Sequence, residues 1–165
     1  GYTVLRNHWY YENLYMTLPS ILPQGTWYSA AEEGRTADIA RDDLAYAAAV
    51  ALAGRAGAPA VDSARRTFTL SGLEARTTAE IAALLSVALD KPINVVPVPP
   101  QALIAGMQQA GLPRPMAEVF ASFDANTASG SVAQVTGDFE RLTGKKARPF
   151  EAWLDDHKAA LANLG

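Results

Sequence analysis

Apolar and polar positions change period several times along the chain, and each change predicts an element. Tyr2-Thr-Val-Leu-Arg6 is β-branched and largely apolar on both faces, the pattern of a strand in a parallel sheet. It passes at once into a polar and aromatic cluster, Asn7-His-Trp-Tyr-Tyr-Glu-Asn13. Tyr11, Leu14, Tyr15 and Leu18 then recur at helical spacing until Pro19 and Pro23 interrupt them, so a short helix and a turn are expected. Thr26-Trp-Tyr-Ser29 reads as extended, and Glu32-Glu-Gly-Arg35 as a turn leading to Ala37-Asp-Ile-Ala40. Asp42 or Asp43 is placed to N-cap a helix over Leu44 to Ala53, with Gly54 as its stop and a small-residue loop from Ala56 to Ala64.

Arg66 to Ser71 alternates polar and apolar residues and predicts a strand. Thr77-Thr-Ala-Glu80 is a capping box, followed by Ile81, Leu84, Leu85 and Ala88 on one helical face. Ile93 to Val98 predicts another strand, closed off by prolines. Pro100 suits the first position of a helix whose apolar face, Leu103, Ile104 and Met107, runs to Gly111. Helices over Met116 to Phe123, Phe139 to Thr143 and Phe150 to Leu161 complete the pattern, and no internal repeat occurs.

Composition narrows the class. With 165 residues, 49% hydrophobic and 19% charged, the chain is long and apolar enough for one folded domain with a real core. A net charge of -3 argues against a nucleic-acid surface. Cysteine is absent, which removes disulfides, thiolate catalysis and thiolate metal sites together and favours a reducing, cytoplasmic setting. The most apolar run, Leu44 to Ala53, is far short of the roughly 20 residues of a membrane helix. The chain opens on its first strand, so no signal peptide is expected within it. An apolar strand with nothing ahead of it leaves one edge open, so the chain reads as a fragment, or an ordered remainder, of a longer protein.

Several chemistries are missing. No closely spaced Gly-x-Gly-x-x-Gly cradle for a pyrophosphate is present, and no Tyr is followed four residues later by Lys. The carboxylate pairs Glu32-Glu33, Asp42-Asp43 and Asp155-Asp156 are sequence neighbours whose side chains diverge. His8 and His157 are the only imidazoles and lie far apart, so no metal is expected. No Gly-x-Ser-x-Gly nucleophile elbow is found, and the catalytic residue stays unknown.

The run Leu5-Arg6-Asn7-His8-Trp9-Tyr10-Tyr11-Glu12-Asn13 resembles the Leu-Arg-Asn-Gly-Trp-Tyr-x-Glu-Asn stretch of the NmrA-like atypical short-chain dehydrogenases, in particular their NAD(P)H:quinone oxidoreductases. Further pieces follow in the family's order: Gly34-Arg35, Arg41-Asp-Asp-Leu-Ala45, Phe68-Thr-Leu-Ser-Gly72, the Thr-capped helix at Thr77, and Gly111-Leu-Pro113. The resemblance covers nearly the whole chain. It implies an α/β fold, the C-terminal part of a Rossmann-like NmrA-type protein with a mixed α/β substrate lobe. Residues 1–165 would then form the substrate-binding half, with NADP or NAD held mainly by an N-terminal half that this chain lacks. The implied activity is hydride transfer from NAD(P)H to a small quinone-like acceptor. The alternatives are a non-enzymatic redox sensor of the same family and a truncated product serving assembly.

On this resemblance Asn7, His8 and Trp9 would touch the cofactor, and Asn13, Tyr28 and Arg41 the substrate. A buried amide at Asn7 can hydrogen-bond a carboxamide, and the Trp9 ring can lie against a flat one. Structural roles stand beside these: Asn7 as a strand cap, Trp9 and Tyr28 as packing, Arg41 in an ion pair at a helix start. Arg6 could likewise hold phosphate or carboxylate. His8 stands where the family usually has Gly, so its side chain would narrow the pocket or tune its pH dependence. Membrane and nucleic-acid partners are not expected, whereas a homodimer or pairing with an N-terminal piece is.

Overall fold

The computed structural model describes residues 2–53 and 65–164. The expected helix stop at Gly54 and the loop from Ala56 to Ala64 lie outside the described residues.

Strand β1 (Tyr2–Asn7) forms where the β-branched run predicts it, and it pairs in parallel with β4 (Arg65–Leu70), Tyr2 opposite Arg65 and Asn7 opposite Leu70. Both strands therefore end at the same edge, where the His8 N–H continues the ladder to the Leu70 carbonyl at 2.9 Å. A single 3-10 turn (Tyr11–Asn13) leads into helix α1 (Leu14–Ile21). That helix runs through Pro19 instead of stopping there. The carbonyl that Pro19 leaves without a helical donor is that of Tyr15, one turn back.

Strand β2 (Thr26–Ser29) pairs in parallel with β6 (Asn94–Pro97), and a two-residue β3 (Arg35–Thr36) runs antiparallel to β5 (Arg76–Thr77). Helix α2 spans Arg41–Ala53 and begins earlier than the expected cap, so Asp42 and Asp43 sit inside its first turn. There they still favour the helix dipole. The capping function passes to Glu12, whose Oε2 accepts the Arg41 N–H at 3.0 Å, while Asp43 Oδ2 accepts the Arg148 N–H at 2.6 Å. Helix α3 (Thr78–Leu89) carries the predicted capping box in full: Thr77 Oγ1 accepts from the Glu80 N–H, and Glu80 reaches back to the Thr77 N–H. Helices α4 (Pro100–Gln109), α5 (Arg114–Ala128), α6 (Asp138–Thr143) and α7 (Phe150–Ala162) follow.

Two buried clusters organise these elements. One fills the space between α1, α3 and α7 with Leu14, Leu18, Leu85, Leu89, Phe150, Trp153 and Leu161. The other packs α2 and α6 onto β4 through Ile39, Leu44, Ala47, Phe68, Leu70 and Phe139. The segment after β1 is the seam between them, since Tyr10 packs on the second cluster and Tyr11 belongs to the first. Among the described residues no helix is long and apolar enough to cross a membrane.

Candidate functional site

The seam carries a pocket. It has a volume of about 300 Å³ and is lined by Asn7, His8, Trp9, Tyr10 and Asn13. Its position follows from the parallel pairing of β1 and β4, because the chain turns away at the carboxyl ends of the strands and leaves a crevice there, the usual place for a ligand in an α/β sheet.

The residues of this segment divide their work. After β1 the alternation of a strand gives way to three residues per turn, so successive side chains fan out in different directions. Tyr11 turns inward, its ring centroid 5.0 Å from Phe150 and 5.5 Å from Trp153, with its hydroxyl donating to the Arg148 carbonyl at 3.2 Å. Burial beside Asp38 pushes the Tyr11 hydroxyl far above the usual tyrosine range. Glu12 is also structural: besides capping α2, its Oε1 accepts the Trp153 indole N–H at 3.1 Å. What remains for the pocket is the set listed above.

Asn7 differs from expectation, since its amide is exposed rather than buried and makes no hydrogen bond among the described residues. It is not a strand cap. Trp9 is half-buried and serves two purposes: it lines the pocket, and its ring meets Phe123 of α5 edge to face with centroids 4.4 Å apart. Phe123 in turn meets Phe120 at 5.7 Å. Phe123 and Phe120 thus back the Trp9 ring, while Trp9 alone of the three lines the pocket.

His8 is 9% exposed. Burial lowers its pKa below the ordinary histidine value, and a hydrogen bond to the backbone of Ala37 pulls weakly the other way. The ring nitrogen Nδ1 is buried and has no partner among the described residues.

Two of the sequence-derived candidates lie elsewhere. Tyr28 is exposed on β2 opposite Val96. Arg41 is exposed at the start of α2, where its backbone N–H is bonded to Glu12 and its side chain has no partner among the described residues. Neither lines the pocket. Arg6, exposed on β1 opposite Thr69, does not line it either. Phe123 and Asp38 were not anticipated. Desolvation pushes the Asp38 carboxyl up to about 6 although the Thr36 hydroxyl donates to it. No local signal marks either residue, because each acquires its setting from segments distant in sequence. No group of three or more His, Asp or Glu side chains that could hold a metal occurs among the described residues.

No family model matches the sequence. Among curated proteins the chain is similar to agroclavine dehydrogenase of Claviceps fusiformis, 30% identical over 162 residues, which is 96% of this chain and 54% of that protein. It is similar also to quinone oxidoreductase 2 of Escherichia coli K12, 30% identical over 145 residues, 87% of this chain and 48% of the other. Among solved structures, the NADPH-dependent quinone oxidoreductase of Escherichia coli in complex with NADPH superposes with a TM-score of 0.82 at 27% identity, over 94% of this chain and 53% of that one. The chain spans about half the length of the curated relatives it matches.

Proposed function

We propose that this chain, similar along nearly its whole length to agroclavine dehydrogenase and quinone oxidoreductase 2, is the C-terminal, substrate-binding half of an NmrA-like, NAD(P)H-dependent oxidoreductase acting on a small quinone-like acceptor. The single observation that carries this reading is the pocket at the carboxyl ends of β1 and β4, lined by the five residues of the Asn7–Asn13 segment. A reducing, cytoplasmic setting suits it.

The residues present fit a nicotinamide. Asn7 offers an exposed amide that can both donate to and accept from a carboxamide, and Trp9, steadied by Phe123, offers a ring face or edge to a flat partner. His8 contributes a buried ring nitrogen, Nδ1, that has no partner among the described residues. NAD(P)H, when bound, supplies the hydride. This chain's part is to bind and orient the reacting rings and to keep water from them. Asn13 completes the polar side of the pocket. The pyrophosphate is assigned to a preceding half, for no glycine cradle exists here.

The test is quinone-dependent NADPH oxidation by the full-length protein carrying this chain, with Asn7→Ala as its probe. The variant is expected to lose about fivefold in affinity for cofactor or acceptor, the value of one hydrogen bond, at unchanged stability. NADPH binding without turnover of any quinone would move the protein to the redox-sensor reading. Failure to bind NADPH at all would defeat both.

A further inference from the structure

We propose that Asp124 is a positioning residue for the Asn7–Asn13 pocket: its carboxylate locks helix α5 to the end of β2 and so fixes the Phe123 ring that holds Trp9 in place. The inference rests on the reductase reading for what the pocket takes, and deepens it by naming what sets the pocket's aromatic side.

Trp9 is held in two different ways. Its backbone is pinned, because its carbonyl accepts the Ile39 N–H at 2.9 Å. Its ring depends on α5, whose Phe123 meets it edge to face with centroids 4.4 Å apart, and Trp9 lines the pocket. Where α5 stands therefore decides where the Trp9 ring stands. Apolar burial holds that helix weakly, since of its 15 residues only Ala117 and Ala121 are buried, and no residue of the preceding α4 is buried. Polar contacts must do the rest.

Those contacts converge on Asp124. Its Oδ2 accepts the Ser29 hydroxyl at 2.9 Å and the Ala30 N–H at 2.6 Å. The Ser29 hydroxyl oxygen in turn accepts the Ala31 N–H at 3.1 Å, and the Ser29 carbonyl accepts the Val98 N–H at 2.9 Å, so the receiving end belongs to the β2–β6 ladder. Ser29, Ala30 and Ala31 are buried, and donors left there without Asp124 would find little water. Hydrogen bonds to a carboxylate are roughly twice as strong as neutral ones. One turn on, the Thr127 carbonyl oxygen approaches Gly34 so closely that a Cβ on Gly34 would stand 2.3 Å from it. The helix thus rests on residues 29 to 34 and, through Phe123, on Trp9, and a tilt that frees the first contact moves the second.

In the full-length protein with NADPH saturating, Asp124→Ala is expected to raise KM for 2-methyl-1,4-naphthoquinone about twofold to tenfold, the value of one aromatic contact, more than it lowers kcat. Asp124→Asn keeps an oxygen for both donors and should restore most of the loss. Phe123→Leu removes the ring that links the helix to Trp9 and should raise KM to a similar extent. Combined, Asp124→Ala and Phe123→Leu should do no more than the larger single effect, because both act through one ring. Effects that multiply, or a KM that holds while stability falls, overturn the proposal.

Fluorine NMR of protein labelled with 5-fluorotryptophan reads the ring without any ligand. The Trp9 signal, assigned by its loss in Trp9→Phe, should move in Asp124→Ala and in Phe123→Leu and return toward its place in Asp124→Asn. Should Asp124→Ala fail to fold, Ser29→Ala takes away one of the two donors and carries the same test with a smaller shift. A Trp9 signal unmoved in these variants overturns the proposal whatever the kinetics. A signal that moves in a protein that reduces no quinone upholds the positioning and defeats the reductase reading instead.

Discussion

Glu12 holds three parts of the molecule with one carboxylate: the turn it stands on, the start of α2 through the Arg41 N–H, and α7 through the Trp153 indole. Glu12→Ala would uncap a helix and strand a buried indole N–H, so stability should fall by about 2 to 3 kcal/mol, read from the denaturation midpoint at constant slope. A change below about 0.5 kcal/mol would show that water replaces both contacts. Asp38 makes the opposite kind of prediction. Its folded-state pKa of about 6 lies above the ordinary 3.8, so the folded protein binds the proton more tightly than the unfolded chain. Between these values stability falls as pH rises, and above pH 6 the full cost of a desolvated charge is present. Asp38→Asn keeps an acceptor for the Thr36 hydroxyl and removes the charge. It should stabilise the protein at pH 7 to 8 by on the order of 2 kcal/mol, allowing for partial solvent screening, and the gain should vanish near pH 4. Unfolding curves of the two proteins that stay parallel across that range would contradict the burial argument.

Elements whose signal is local were legible before any coordinates. The β-branched run of β1, the alternation of β4 and the capping box of α3 each carry their own warrant within a few residues. So did most of the site, because Asn7, His8, Trp9 and Asn13 come from one continuous segment at a strand end. What stayed hidden depends on distant partners. The pairing of β2 with β6 and the two-residue ladder of β3 with β5 are decided by the packing of the whole chain, as is the start of α2, displaced to Arg41 because Glu12 caps it from elsewhere. Arg41 stands in the expected order of motifs and Tyr28 was read as a wall of the cleft, yet neither lines the pocket. The motif glycines have a packing explanation at two places. A Cβ on Gly34 would lie 2.3 Å from the Thr127 carbonyl oxygen of α5, and one on Gly72 would lie 1.9 Å from the Asp38 carbonyl oxygen. Gly72→Ala must therefore push apart the end of β4 and the segment before α2, at a cost of about 3 kcal/mol or more. For a chain of this size that corresponds to a melting temperature lower by roughly 6 to 12 °C, and calorimetry would reveal a smaller drop if the Asp38 carbonyl can yield.

At the scale of the molecule the two edges of the β1–β4 sheet are treated differently. The outer edge of β4 is closed by side chains, with Asp138 Oδ2 accepting the Thr69 N–H at 2.8 Å and the Thr136 hydroxyl donating to the Thr69 carbonyl. Such plugs stop a strand from recruiting another. Across the sheet, β1 has no second strand among the described residues, and the face that carries Tyr2 and Val4 is poorly covered, with Tyr2 55% and Val4 39% exposed. An apolar strand with a row of unpaired N–H and C=O groups is a template for pairing, and a domain with only about 5 to 15 kcal/mol of stability tolerates that exposure badly. The isolated 17.5 kDa chain is therefore expected to associate through β1, as a homodimer or with a co-purified strand-bearing piece, while the β4 edge stays closed. Light scattering with intact mass measures the first, and hydrogen exchange the second. The β1 amides should gain protection with rising protein concentration, and those of β4 should not. A replacement of Val4 by Lys should shift the equilibrium toward monomer by placing a charge on the strand. A soluble monomer whose β1 amides are already protected at low concentration would mean that this edge is satisfied within the chain, and the argument from the open strand would fail.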